Sequence, residues 1–261
     1  MILAILVLPC VWFILHLILR SPSLVEPFVI SHRGAAAFAP ENTLAGVSEA
    51  VNQGAEFVEV DVQRSADGVL VIMHDRTVDR TTDGTGEIQG LSWEELQSLD
   101  AGAHFSQKYA GEPIPTLDSV LGLVAGESIT LVLEAKNPEL YPGIEHEIAD
   151  HLEKANLADQ TVVVSFGHDW LERFHKVSPE TPLGKLYVWM GSPGQASGVR
   201  LVDVHWLSVV LDPTLVRRAH QRGYQVVVWT VNNDALMRLL LWLGVDGITT
   251  DRPDLWSKVT S

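Results

Sequence analysis

Nine short apolar runs, separated by stretches with the period of amphipathic helices, predict an α/β fold, a (β/α)8 or TIM barrel. Two further observations complete the outline. The chain has 261 residues, and a barrel of this kind takes roughly 250, so one large domain is expected. Ahead of it, Met1 to Leu19 carries no charge until Arg20, which predicts one transmembrane helix. The expected organisation is a transmembrane anchor over residues 1–20, a linker over 21–27 and a barrel over 28–261.

The anchor is read from length and charge. About 20 apolar residues at a rise of 1.5 Å span the roughly 30 Å hydrocarbon core of a bilayer. A cleaved signal peptide fits less well, because no basic region opens the chain and no A-x-A-like site precedes Ser21-Pro22-Ser23. Arg20, at the end of the span, places the barrel in the cytoplasm by the positive-inside tendency. Cys10 is the only cysteine, so an intramolecular disulfide and a cysteine metal site are both excluded. Val7-Leu8-Pro9 before it lacks the small residue of a lipidation site. Because the first strand enters a barrel from below, this tether is expected to attach on the face opposite the strand C-termini.

The predicted strands are Phe28 to Ser31, Phe57 to Val62, Val69 to Met73, Ile129 to Glu134, Thr161 to Ser165, Gly184 to Val188, His205 to Val209, Gln225 to Trp229 and Asp246 to Thr249. That is one strand too many for the barrel, and the second gap is too short for a parallel crossover. Asp67-Gly68 is a hairpin signal, so Val69 to Met73 is expected to fold back antiparallel on the second strand. A turn near Ala66 and Asp67 pairs residues whose numbers sum to about 133, which sets His74 opposite Glu59. After the hairpin comes a small insertion, about residues 80–115, with a helix start at Ser92-Trp93-Glu94-Glu95.

Charge narrows the partners. Lys and Arg total 18 against 33 Asp and Glu, a formal charge of −15, which disfavours nucleic acid. A phosphate-ester substrate would need a metal ion and a few local cations to offset this acidity.

The candidates for such a site lie at strand C-termini, the active-site face of these barrels. His32 and Arg33 follow the first strand. Glu59 and Asp61 alternate with Val58, Val60 and Val62, so both carboxylates point to one face. Taken alone, they would also fit a salt-bridged structural pair. Glu134 ends the run Leu131-Val132-Leu133, with Lys136 two residues on and on the same side. Three carboxylates suit a hard divalent cation such as Mg2+ or Ca2+. His74-Asp75 closes the hairpin, and two imidazoles with pKa values near 6.5 suit proton transfer at neutral pH. Asn42 reads as a helix N-cap, and Glu41 as an orienting group.

The segments His32-Arg33-Gly34, Ala39-Pro40-Glu41-Asn42-Thr43, Glu59-Val60-Asp61, His74-Asp75 and Arg80-Thr81-Thr82 resemble the glycerophosphodiester phosphodiesterase family. So do Ile114-Pro115-Thr116-Leu117, Glu134-Ala135-Lys136, Trp229-Thr230-Val231-Asn232 and the stretch from Asp246 to Pro253. The resemblance implies a barrel enzyme that hydrolyses glycerophosphodiesters to sn-glycerol 3-phosphate and an alcohol. It implies His32 and His74 as general acid and base, and Ca2+ or Mg2+ on Glu59, Asp61 and Glu134. It further implies Arg33 and Lys136 at the phosphate, with Trp229 lining the alcohol side. Membrane-anchored relatives include enzymes acting on lysophospholipids, so lysophospholipase D-like or phospholipase C-like cleavage of a membrane lipid stands as an alternative. A membrane-tethered phosphate-ester binding protein is the non-enzymatic one.

Overall fold

The computed structural model of the protein describes residues 11–12, 14–19, 21–189 and 197–260. Eight parallel strands close into a barrel: β1 (Phe28–Ser31), β2 (Phe57–Arg64), β4 (Thr130–Ala135), β5 (Thr161–Ser165), β6 (Leu183–Tyr187), β7 (Val199–His205), β8 (Gln225–Trp229) and β9 (Gly247–Thr250). Closure is made where β1 pairs with both β2 and β9. The strands are buried on both faces, which is why they read as nearly continuous Val, Ile and Leu. Inward residues Ile30, Val132, Val164, Leu186, Leu201 and Val227 fill the barrel. Outward residues such as Val58, Val60 and Val62 pack under the surrounding helices.

The expected hairpin is present. β3 (Leu70–Ile72) runs antiparallel to β2, pairing Val62 with Ile72 and Arg64 with Leu70. These numbers sum to 134, one more than the turn chemistry suggested. His74 therefore does not face Glu59 across the ladder: pairing ends at Ile72, Met73 N donates to Asp61 O, and the carbonyls of Met73, His74 and Asp75 accept from the Gln63 side chain instead. The following insertion has its own small core of Val71, Met73, Val78, Ile88, Leu96 and Ile114. Its one α-helix, Trp93–Gln97, starts with the expected capping box of Ser92 and Glu95.

The seventh strand lies elsewhere than predicted. His205 is its last residue, and the apolar run after it, Trp206–Leu211, is a helix. Two features disguised this. Arg200 and Asp203 interrupt the true strand, whereas the helix is apolar on its outer face because a second element covers it. That element is the N-terminal segment, helical at residues 11–12 and 14–19, whose Trp12 indole donates to Val210 O at 2.7 Å. His16 is buried there and bonds the Trp12 carbonyl through Nδ1.

Met1 to Cys10, half of the expected anchor, together with Phe13 and Arg20, lie outside the described residues. Among the described residues no helix is long and apolar enough to cross a membrane. Beyond it, Ser23 and Leu24 bond Asp246, just before β9, so the chain does reach β1 from beneath the barrel.

Candidate active site

The register of β2 against β4 pairs Asp61 with Glu134, and Glu59 stands one inward position below Asp61. One oxygen from each of the three carboxylates can be chosen so that all lie within 4.8 Å of one another. Such crowding splits their acidities. Burial, then the charges of Asp61 and Glu134, raises Glu59 well above the usual carboxylate range. Burial and Asp61 push Glu134 up to about 7 against the pull of Lys136. Asp61 is also raised by burial, but Lys136, Arg33, His74 and Asn42 together outweigh that and hold it low. Glu59 Oε1 is buried with no hydrogen-bond partner. An orphaned oxygen within a converging set of hard donors fits a divalent cation better than a salt-bridged structural pair.

The backbone around the cluster is shaped to serve it. Asn42 adopts φ 56°, and its amide donates to Asp61 Oδ2 at 2.7 Å while its carbonyl accepts from Asp61 N at 3.0 Å. It is not the N-cap expected of it; Thr43 caps the helix Leu44–Asn52 instead. Arg33, at φ 49°, turns its backbone N–H onto Glu59 Oε2 at 2.8 Å. The next residue, Gly34, approaches Gly46 so closely that a Cβ would sit 2.5 Å from the Gly46 carbonyl carbon, so only glycine fits.

Two histidines flank the carboxylates, each held by its own aspartate. His32 Nδ1 lies 2.6 Å from Asp251 Oδ1, and Asn232 donates to the other oxygen of Asp251 at 2.6 Å. His74 Nδ1 lies 2.6 Å from Asp75 Oδ1, and Arg80 Nε donates to Asp75 Oδ2 at 2.6 Å. Arg80 is in turn clamped by two bonds to Glu41. Arg80 and His74 lower Asp75 to about 2. Burial raises Asp251, but the His32 bond and charge with Asn232 leave it below its ordinary value. Two ionised aspartates hold the proton on each Nδ1, so each Nε2 is the free nitrogen. His32 Nε2 is 4.0 Å from Glu59.

The cations lie beside this set. Lys136 Nζ is 2.8 Å from Glu134 and 3.6 Å from Asp61. Arg33 bonds Glu41 at 2.8 Å and stands 3.6 Å from Asp61. Both line one pocket with His32, His74, Glu59 and Glu134. The pocket's other wall is apolar, and there Trp229 meets Phe166 edge to face at 6.1 Å. All eight sequence-predicted residues border this pocket except Asp61, which is 1% exposed and sits behind its neighbours.

Residues 32–255 match the Glycerophosphoryl diester phosphodiesterase family. The chain belongs to that family. A glycerophosphodiester phosphodiesterase of Caldanaerobacter subterraneus subsp. tengcongensis is 36% identical over 233 residues, covering 88% of this chain and 96% of that one. One from Bacillus subtilis is 31% identical over 262 residues, covering 92% and 88%. Among solved structures, an Oleispira antarctica phosphodiesterase in complex with the product sn-glycerol-3-phosphate superposes with a TM-score of 0.80. It is 32% identical and covers 90% of this chain and 98% of that one. The chain is thus a phosphoric diester hydrolase with the fold and family the motifs implied.

Several functional neighbours within this phosphodiesterase fold were not singled out from sequence. Asp251 and Arg80 stood inside the motifs without a role. Alternation signals Asp251, since Thr249 and Asp251 share the inward face at the end of β9. Asp203 alternates in the same way with Leu201 and His205, a signal hidden by the misplaced seventh strand.

Proposed function

We propose that this protein hydrolyses glycerophosphodiesters to sn-glycerol 3-phosphate and an alcohol, with a divalent cation and two histidines. The observation that carries the reading is the paired arrangement of His32–Asp251 and His74–Asp75 around three converging carboxylates. Glu59, Asp61 and Glu134 would hold Ca2+ or Mg2+, which when bound supplies positive charge against the phosphate oxygens. Arg33 and Lys136 would bind nonbridging oxygens by charge-assisted hydrogen bonds. One imidazole withdraws the proton of the attacking nucleophile through Nε2, and the other donates one to the departing alkoxide. Trp229 and Phe166 line the alcohol side and exclude water from it.

The test is turnover of glycerophosphodiesters with EDTA and then with added Ca2+ or Mg2+. Chelation should abolish activity and one of the two ions restore it. Turnover untouched by EDTA would overturn the cation requirement.

A second reading, cleavage of lysophospholipids, is favoured by the apolar side chains past the ends of β5 and β6, where Phe166 is 44% and Trp189 60% exposed. A lysophospholipid in the same assay separates it from the first. We also propose that residues 1–20 hold the enzyme at a membrane with the barrel on the cytoplasmic side, as their lack of charge before Arg20 supports. Recovery of the full chain in the supernatant of washed membranes would sink that proposal, and protease protection of the barrel would reverse its side.

A further inference from the structure

Just past β3 the chain leaves its ladder without leaving its carbonyls unpaired. Gln63, on β2 two residues beyond Asp61, is fully buried. Its backbone lies opposite Val71, while its side chain reaches past the end of β3. There Nε2 donates to the carbonyl of Asp75 at 2.6 Å, of Met73 at 2.9 Å and of His74 at 3.2 Å. An amide nitrogen carries two N–H groups, so three carbonyls share two donors and the chain from Met73 to Asp75 curls round one point.

The amide can face only one way. Turned over, its oxygen would meet three carbonyl oxygens. With the nitrogen toward them, Oε1 points back and accepts from the Tyr141 hydroxyl at 3.1 Å. Tyr141 is itself buried, in the loop after β4, with its ring packed in the core beneath the helices. A relay therefore runs from the loop after β4, through the end of β2, to the backbone around His74.

What the relay fixes follows from where the carbonyls lie. That of Met73 belongs to the peptide plane before His74, and that of His74 to the plane after it. Holding both planes sets φ and ψ of His74, and with them the direction in which its side chain leaves the backbone. Asp75 then turns the imidazole through Nδ1. A leucine fills nearly the same volume as a glutamine and needs no partner, so packing alone does not call for an amide here. Buried carbonyls beyond the end of a ladder do.

We propose that Gln63, held by Tyr141, is a positioning residue for proton transfer: it sets the backbone of His74 so that Nε2 meets the reacting oxygen. The proposal rests on His74 as acid or base and adds the group that places it. A misplacement of about 1 Å is enough to lower a rate by about 10²-fold.

The test is a double-mutant cycle on the full-length, cation-loaded protein, with a glycerophosphodiester that wild type turns over. Gln63→Leu should lower kcat by about 10-fold to 100-fold and leave KM within about twofold. In a His74→Ala background the same substitution should lower the residual kcat by less than about threefold, because the group it positions has gone. The concentration of Ca2+ or Mg2+ giving the half-maximal rate should be the same in Gln63→Leu and wild type. An equal loss in both backgrounds, or a raised cation requirement, overturns the proposal and makes Gln63 a support of the fold or of Asp61. Should Gln63→Leu not fold, Tyr141→Phe removes a single hydroxyl and repeats the cycle, with a loss of a few-fold in wild type and none in His74→Ala. Full turnover by His74→Ala refutes the proton-transfer reading itself, and the proposal with it.

Discussion

His32 and His74 end in the same arrangement by opposite routes. His32 stands on the barrel frame, and its aspartate arrives from the end of β9, 219 residues away. His74 stands just past the end of a hairpin strand, and its aspartate is the next residue in the chain. The barrel holds the first pair, because His32 N bonds Thr250 O and both neighbouring strands are in register. The second pair depends on a relay of side chains, Arg80 to Asp75 and Arg80 to Glu41. Both aspartates are braced in turn, Asp251 by Asn232 and Asp75 by Arg80, but only the second brace is a charged one that runs on to Glu41.

The largest expected effect tests whether the two are equal chemically. His32→Ala and His74→Ala should each lower kcat by about 10²-fold to 10⁴-fold, with the double variant no worse than the product of the two. A loss below tenfold in either would remove that histidine from proton transfer. A smaller effect tests how each is held. Asp251→Asn and Asp75→Asn should both lower kcat, by about 10-fold to 100-fold, through the wrong Nδ1 tautomer, with melting temperature little changed. The brace itself should give the smallest effect. Arg80→Ala should lower activity only a few-fold, and it should shift acid unfolding. Asp75 has its pKa depressed from 3.8 to about 2, chiefly by Arg80, so this stability is fully present above pH 3.8 and lost as pH falls toward 2. In the variant that contribution should be smaller and its loss should end at higher pH, while acid unfolding that is identical to wild type would deny Arg80 this part.

Much of the candidate site could be read from local pattern. Glu59, Asp61, Glu134 and Lys136 all stand at alternating positions of apolar strands, where period two sets the face whatever the rest of the fold does. Asp67-Gly68 likewise announced the hairpin through its own turn preference, though not the register: one residue of slip left His74 beyond the ladder. Asn42 was misread because its local context suggests a helix cap, whereas Thr43 takes that place and leaves Asn42 for Asp61. The seventh strand was misplaced because the apolar character of Trp206–Leu211 is explained by the helix Asp234–Leu243 and the N-terminal helical segment that pack against it.

Sequence alone therefore determined the fold class, the family and the inward-facing acids and bases, since these follow from periodicity and contiguous motifs. Tertiary structure alone decided which aspartate orients His32, how Arg80 and Glu41 brace His74, and that Gln63 holds the backbone around it. The physical reason is range. Side-chain alternation is a property of the neighbouring residues, while a hydrogen bond between residues 32 and 251 exists only once the barrel has closed.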